Sequence, residues 1–118
     1  MKTIGIIGTR RRDKLKDFML VEDAFVDVYE AGDRICSGLC PKGGDRFAVM
    51  LAKKYDTPTL WFPAEWRKYG RGAGFKRNGD IARESDVLIA CVATDRKGGT
   101  EDTIRKFMKK PEAKLILV

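Results

Sequence analysis

Two uninterrupted apolar runs constrain this chain more than any other feature. Thr3-Ile4-Gly5-Ile6-Ile7-Gly8 and Asp86-Val87-Leu88-Ile89-Ala90-Cys91-Val92 show no polar alternation. Each therefore suits a strand covered on both faces, as at the centre of a parallel sheet. Between and after them, helical spacing alternates with short strand signals. Phe18, Val21, Phe25 and Val28 recur on one face of a helix expected from Lys16 to Ala31, with Gly32 as its stop. Strands are expected at Asp33–Ser37, Thr57–Phe62 (ended by Pro63) and Leu115–Val118, and further helices at Asp45–Lys54, Gly74–Glu84 and Thr100–Lys110. In the last helix Ile104, Phe107 and Met108 are expected to face inward. Strands alternating with helices predict one α/β domain over residues 1–118, a doubly wound parallel sheet of about five strands with helices on both faces.

In such a sheet the loops at the carboxyl ends of the strands open on one edge. Three of them are built for an anion. Gly8-Thr9-Arg10 leaves the first strand, and Ser37-Gly38-Leu39-Cys40-Pro41-Lys42-Gly43-Gly44-Asp45-Arg46 leaves the second. Lys97-Gly98-Gly99-Thr100 precedes the last helix. Glycines admit a ligand close to the backbone, helix N-termini offer unpaired N–H groups, and Lys42, Arg10 and Arg46 add positive charge. Asp45 reads as an N-cap. Gly38 and Gly43 have Walker A spacing, yet Gly44 and Asp45 stand where its Lys and Ser/Thr belong, which argues against a P-loop NTPase.

The residues from Ala64 to Gly74 read as a long loop. Trp66, Tyr69, Arg71, Phe75, Lys76, Arg77 and Asn78 mix aromatic and basic groups that can stack a base and hold a phosphate; core packing explains Trp66 and Phe75 equally well.

Composition narrows the chemistry. With no histidine, a Ser-His-Asp or Cys-His pair, a histidine base and histidine metal ligands are all excluded. Cys36, Cys40 and Cys91 are odd in number and lie in or beside strands, which points to reduced thiols in a cytoplasm. Cys36 and Cys40 are two ligands short of a structural zinc site, so no metal is expected. The net charge of +7 favours anionic partners. No run has the length of a membrane span, and the N-terminus reads as a strand rather than a signal peptide.

Together, Gly8-Thr9-Arg10, Ser37-Gly38 with Gly43-Gly44-Asp45-Arg46, and Phe62-Pro63-Ala64-Glu65-Trp66 with Tyr69-Gly70, Ala73-Gly74 and Arg77-Asn78 resemble the YspA-like domain of the SLOG superfamily, named for the Smf/DprA and LOG (Lonely Guy) proteins. Gly98-Gly99-Thr100 completes the pattern. The resemblance spans nearly the whole chain. It implies a Rossmann-like fold, a homodimer or larger assembly, and a nucleotide or nucleotide-derivative ligand of the nucleoside monophosphate or ADP-ribose kind. No cofactor is expected.

Relatives in that superfamily differ in activity. LOG proteins are phosphoribohydrolases with a Pro-Gly-Gly-x-Gly-Thr-x-x-Glu motif, of which Gly98-Gly99-Thr100 keeps the core. Glu101 and Asp102 follow at shifted spacing as candidate catalytic carboxylates, with Arg77 as the accompanying arginine. DprA binds single-stranded DNA. Three readings therefore stand: a nucleotide-binding or sensing module, an N-glycosidic hydrolase using Glu101 or Asp102, and, below both, a nucleic-acid binder.

Overall fold

A computed structural model describes all residues from Met1 to Val118. Five parallel strands form one sheet: β1 (Thr3–Gly8), β2 (Arg34–Ser37), β3 (Thr59–Trp61), β4 (Val87–Cys91) and β5 (Lys114–Leu117). Their spatial order is β3-β2-β1-β4-β5. The order reverses between β1 and β4, where Ile4 to Gly8 pair in register with Val87 to Cys91. This is a doubly wound Rossmann-like sheet, and its switch point is where such sheets open a crevice for ligands.

Alternation along the two central strands feeds two separate cores, because successive side chains point to opposite faces. Ile4, Ile6, Val87, Ile89 and Cys91 pack beneath α1 (Leu15–Val28) and α2 (Gly44–Tyr55). Those helices supply Phe18, Val21, Phe25, Phe47, Ala48 and Leu51. On the other face Ile7, Cys36, Leu88 and Ala90 meet Ile81 and Ala82 of α4 (Ala73–Glu84), and Ile104 and Phe107 of α5 (Gly99–Met108). The apolar runs lack alternation because both faces are covered.

Several boundaries differ from the sequence expectations. Helix α1 stops at Val28, and the chain turns through Tyr29–Gly32. The buried Asp33 carboxylate fastens this turn, accepting from the Glu30 and Lys2 amides and from Lys2 Nζ. The segment 64–74 is not a loop throughout: Trp66–Tyr69 forms a helical turn, α3, followed by a 3₁₀ turn at Gly70–Gly72 that leads straight into α4. Met108 is half exposed rather than inward. Asp45 is not the cap of α2. Gly43 occupies that position with φ +74°, a left-handed conformation that favours glycine, and Asp45 lies buried in the first turn.

The start of α2 is pressed against the end of β1. A Cβ added to Gly44 would overlap the backbone of Ile7 and Gly8. Gly44→Ala should therefore lower the urea unfolding midpoint, by about 1–3 kcal/mol of stability or more, since backbone cannot yield as a flexible side chain does. Gly79→Ala on α4, where a Cβ meets nothing within 4 Å, should instead stabilise by about 0.5–1 kcal/mol. Equal effects for the two variants would contradict this packing.

Candidate anion-binding crevice

The loop after β1 divides its three arginines among three tasks. Arg12 is turned inward and back, donating to the carbonyls of Val92 (3.1 Å) and Val118 (2.5 Å) and to Asp17 Oδ1 (3.0 Å). It ties the loop to the chain end beside β4 and β5. Arg11 makes a two-pronged pair with Asp95, at 2.8 and 3.1 Å, bridging to the loop after β4. Arg10 has no hydrogen bond or ion pair within the chain and lines the space between these loops.

That space is a cavity of about 390 Å³ outside the carboxyl ends of β1 and β4. Gly8, Thr9, Arg10 and Arg11 form one side, and Lys97, Gly98, Gly99 and Thr100 form the other. Helix α4 contributes Arg77, Asn78 and Ile81, the second loop contributes Cys40, and the first turn of α2 contributes Asp45. The structure thus brings Gly8, Thr9, Arg10, Asp45, Arg77, Asn78, Gly98, Gly99 and Thr100 together around one void. Helix α5 begins there at Gly98, whose φ is +115° and which lacks a capping side chain. The Gly99 and Thr100 amides find no acceptor in the chain, so unpaired donors and the positive end of the helix dipole face the cavity.

The other expected site residues lie outside the lining. Ser37 is buried beneath it, and Gly38 lies against Arg77, which donates to the Gly38 carbonyl at 3.3 Å. Gly43 and Gly44 form the wall behind Thr9 and Gly8. Lys42 is exposed beside this wall. Arg46 is fully engaged elsewhere. Its Nε donates to Asp13 Oδ1 (2.8 Å), its Nη2 to the Asp13 carbonyl (2.8 Å), and its guanidinium lies over the Phe47 ring. Asp13 also accepts the Gly43 N–H at 2.7 Å. That bond and Arg46 hold its carboxyl below the usual range. Trp66 is 59% exposed and packs over Gly74, away from the cavity.

Both candidate catalytic carboxylates are paired. Glu101 receives Arg96 through two bonds of 2.8 and 3.0 Å. Asp102 is buried between α4 and α5, accepting from Asn78 Nδ2 (3.1 Å), Lys106 Nζ (2.8 Å) and Arg105 (3.2 Å). Burial opposes its charge, but Lys106 and Asn78 outweigh burial and keep the carboxyl below its usual range. Neither residue lines the cavity, whose one carboxylic group is Asp45.

Some lining residues had no separate sequence signal. Thr103 follows Thr100, and Ile81 follows Asn78, at the i, i+3 spacing that shares a helix face. That periodicity points to both once the first member is placed. Cys40 is half-buried at the cavity wall, whereas Cys36 and Cys91 are buried in the strands.

No protein-family model and none of the curated proteins matches the chain. Among solved structures, the fold is similar to that of the molybdenum cofactor binding protein from the phototrophic bacterium Rippkaea orientalis. The TM-score is 0.70 at 22% sequence identity, covering 99% of this chain and 77% of that one. At this identity the likeness establishes a shared fold.

The Asp102 network carries a pH signature. A carboxyl lowered in the folded state stabilises above the unfolded value, about 3.9, and loses that stabilisation as pH falls through the folded one. Asp102→Asn should therefore lower stability at pH 7, with the deficit shrinking below about pH 4. Urea midpoints measured across pH check this, and a deficit independent of pH would contradict it.

Proposed function

We propose that the crevice binds the phosphate of a nucleotide or nucleotide derivative, so that the protein acts as a binding or sensing module. The observation that carries this is the uncapped, glycine-opened start of α5 facing the unpaired Arg10 across a cavity at the switch point of the sheet. Amide donors, a helix dipole and a free guanidinium converge on one volume, which is the chemistry that holds phosphate in water. The resemblance to the YspA-like domain of the SLOG superfamily supports a nucleoside monophosphate or ADP-ribose kind of ligand. It also supports assembly as a homodimer. The structural neighbour binds the molybdenum cofactor by its description, and this ligand belongs in the same test panel.

The second reading is an N-glycosidic hydrolase on a nucleoside 5′-monophosphate. It rests on the resemblance to LOG proteins, with Glu101 or Asp102 as the catalytic group. Against it stands the engagement of both carboxylates in ion pairs outside the cavity lining. Binding without turnover therefore fits the geometry better. Single-stranded nucleic-acid binding rests on the net charge of +7 and on the resemblance to DprA, and ranks below both. No helix is long and apolar enough to cross a membrane.

Calorimetry with nucleoside 5′-monophosphates, ADP-ribose and molybdenum cofactor tests the proposal. Gly99→Val should abolish binding while leaving the unfolding transition nearly unchanged. A Cβ there comes no nearer than 4.0 Å to any side chain, Asn78 being the closest, and so would fill only ligand space. Thr100→Ala should cost about 1.5–3 kcal/mol of affinity through one charge-assisted contact. Full affinity in both variants would overturn the assignment. Release of free base by the wild type, lost in Glu101→Gln or Asp102→Asn, would establish the hydrolase instead.

A further inference from the structure

Three oxygen atoms stand in a row at the floor of the crevice. The Ser37 hydroxyl lies 2.6 Å from the Ile6 carbonyl oxygen and 2.9 Å from Asp45 Oδ1. Both are hydrogen-bond distances, and each gap needs a proton. The carbonyl has none to give and the hydroxyl has one. Ser37 and Ile6 are fully buried and Asp45 is 7% exposed. If the hydroxyl donates to Ile6, the second proton sits on Asp45, which then donates to Ser37. The reverse arrangement leaves two bare acceptors 2.6 Å apart.

The surroundings of Asp45 fit this arrangement. Oδ2 accepts the Cys40 N–H at 3.0 Å, and the nearest cation, Arg77 Nη1 on α4, is 3.9 Å away. Arg10 on the first loop is the other cation acting on it, while Arg46 on its own helix is bound to Asp13. Cys36 on β2 contributes no charge, since burial pushes its thiol up to about 12. Burial outweighs the opposing Cys40 amide, the Ser37 hydroxyl and the two guanidinium groups, and raises the Asp45 carboxyl above its usual range.

We propose that Asp45 stands in the crevice as an uncharged carboxylic acid and that anion binding is coupled to its protonation. The inference rests on the anion reading of the crevice. A phosphate entering the same cavity places negative charge beside the carboxyl, which disfavours ionisation. Reciprocally, ionisation of Asp45 weakens the anion, and the proton that restores the acid comes from solvent. Binding is strong below the Asp45 titration and weakens above it. The limit is about tenfold per pH unit, because one proton is linked.

The test uses sulfate, whose charge is constant from pH 5.5 to 8.5, and nuclear magnetic resonance of the full chain. The Gly99 and Thr100 amides report binding, and the Asp45 carboxyl carbon reports its proton. The coupling predicts that sulfate moves the Asp45 titration to higher pH and that sulfate affinity falls as pH rises. Asp45→Asn mimics the acid: its amide donates to Ser37 while its oxygen keeps the Cys40 N–H. That variant should bind sulfate at pH 8 at least as tightly as wild type does at pH 6, with no dependence on pH. A titration of the Asp45 carboxyl carbon that sulfate leaves unmoved, or weaker binding by Asp45→Asn, would overturn the coupling alone. Silence of both amides at every pH would remove the anion site itself.

Discussion

The crevice depends on one backbone contact. At the end of β1 the chain passes so close to the start of α2 that neither partner has room for a side chain. A Cβ on Gly8 would come within 3.0 Å of the Gly44 Cα, and one on Gly43 would strike the Thr9 carbonyl. This approach seats α2 on the sheet and fixes the direction in which the first loop leaves it. Asp13 locks the arrangement from outside by accepting the Gly43 N–H and Arg46 together. With α2 seated, Asp45 is carried under the cavity, and the first loop is aimed across it toward the start of α5.

A basic chain need not have a basic site. Here most cations are spent on the frame. Arg12 holds chain ends, Arg46 holds Asp13, Lys106 holds Asp102, and Lys110 donates to the carbonyls of Ala82, Arg83 and Ser85 at the end of α4. Exposed pairs such as Arg11 with Asp95 contribute little stability, but they join the two loops that border the cavity. Arg10 and Lys97 remain without ion-pair partners on the lining. The net charge is thus a weak guide to a ligand, whereas the two residues the frame leaves unpaired are a direct one.

Much of the architecture was legible in the sequence because two-sided burial leaves a strong mark. The runs Thr3–Gly8 and Asp86–Val92 suited central strands, and the glycine loops after them were expected on one edge of the sheet. The crevice lining was legible where it is made of backbone, at Gly8, Gly98 and Gly99. It was less so where a side chain chooses among partners. Arg46 follows Asp45 directly, yet helix geometry sends one toward Asp13 and the other beneath the cavity. Asp102 looks catalytic by its nearness to Gly99, but the helical period turns it to Asn78 and Lys106. Trp66 has the composition of a stacking residue, but the α3 turn leaves it outside. The partner of Asp45, Ser37, is eight positions away and meets it only because α2 packs on β1.

The central claim is that this switch-point crevice holds a phosphate against the start of α5. The most direct measurement is an anomalous difference map from crystals grown with adenosine 5′-thiophosphate, in which sulfur marks the phosphoryl group. The account predicts a peak within the cavity, with the thiophosphate in hydrogen-bond contact with the Gly99 and Thr100 amides and beside Arg10. Thiophosphate ordered elsewhere on the protein, with the crevice holding only water, would contradict it.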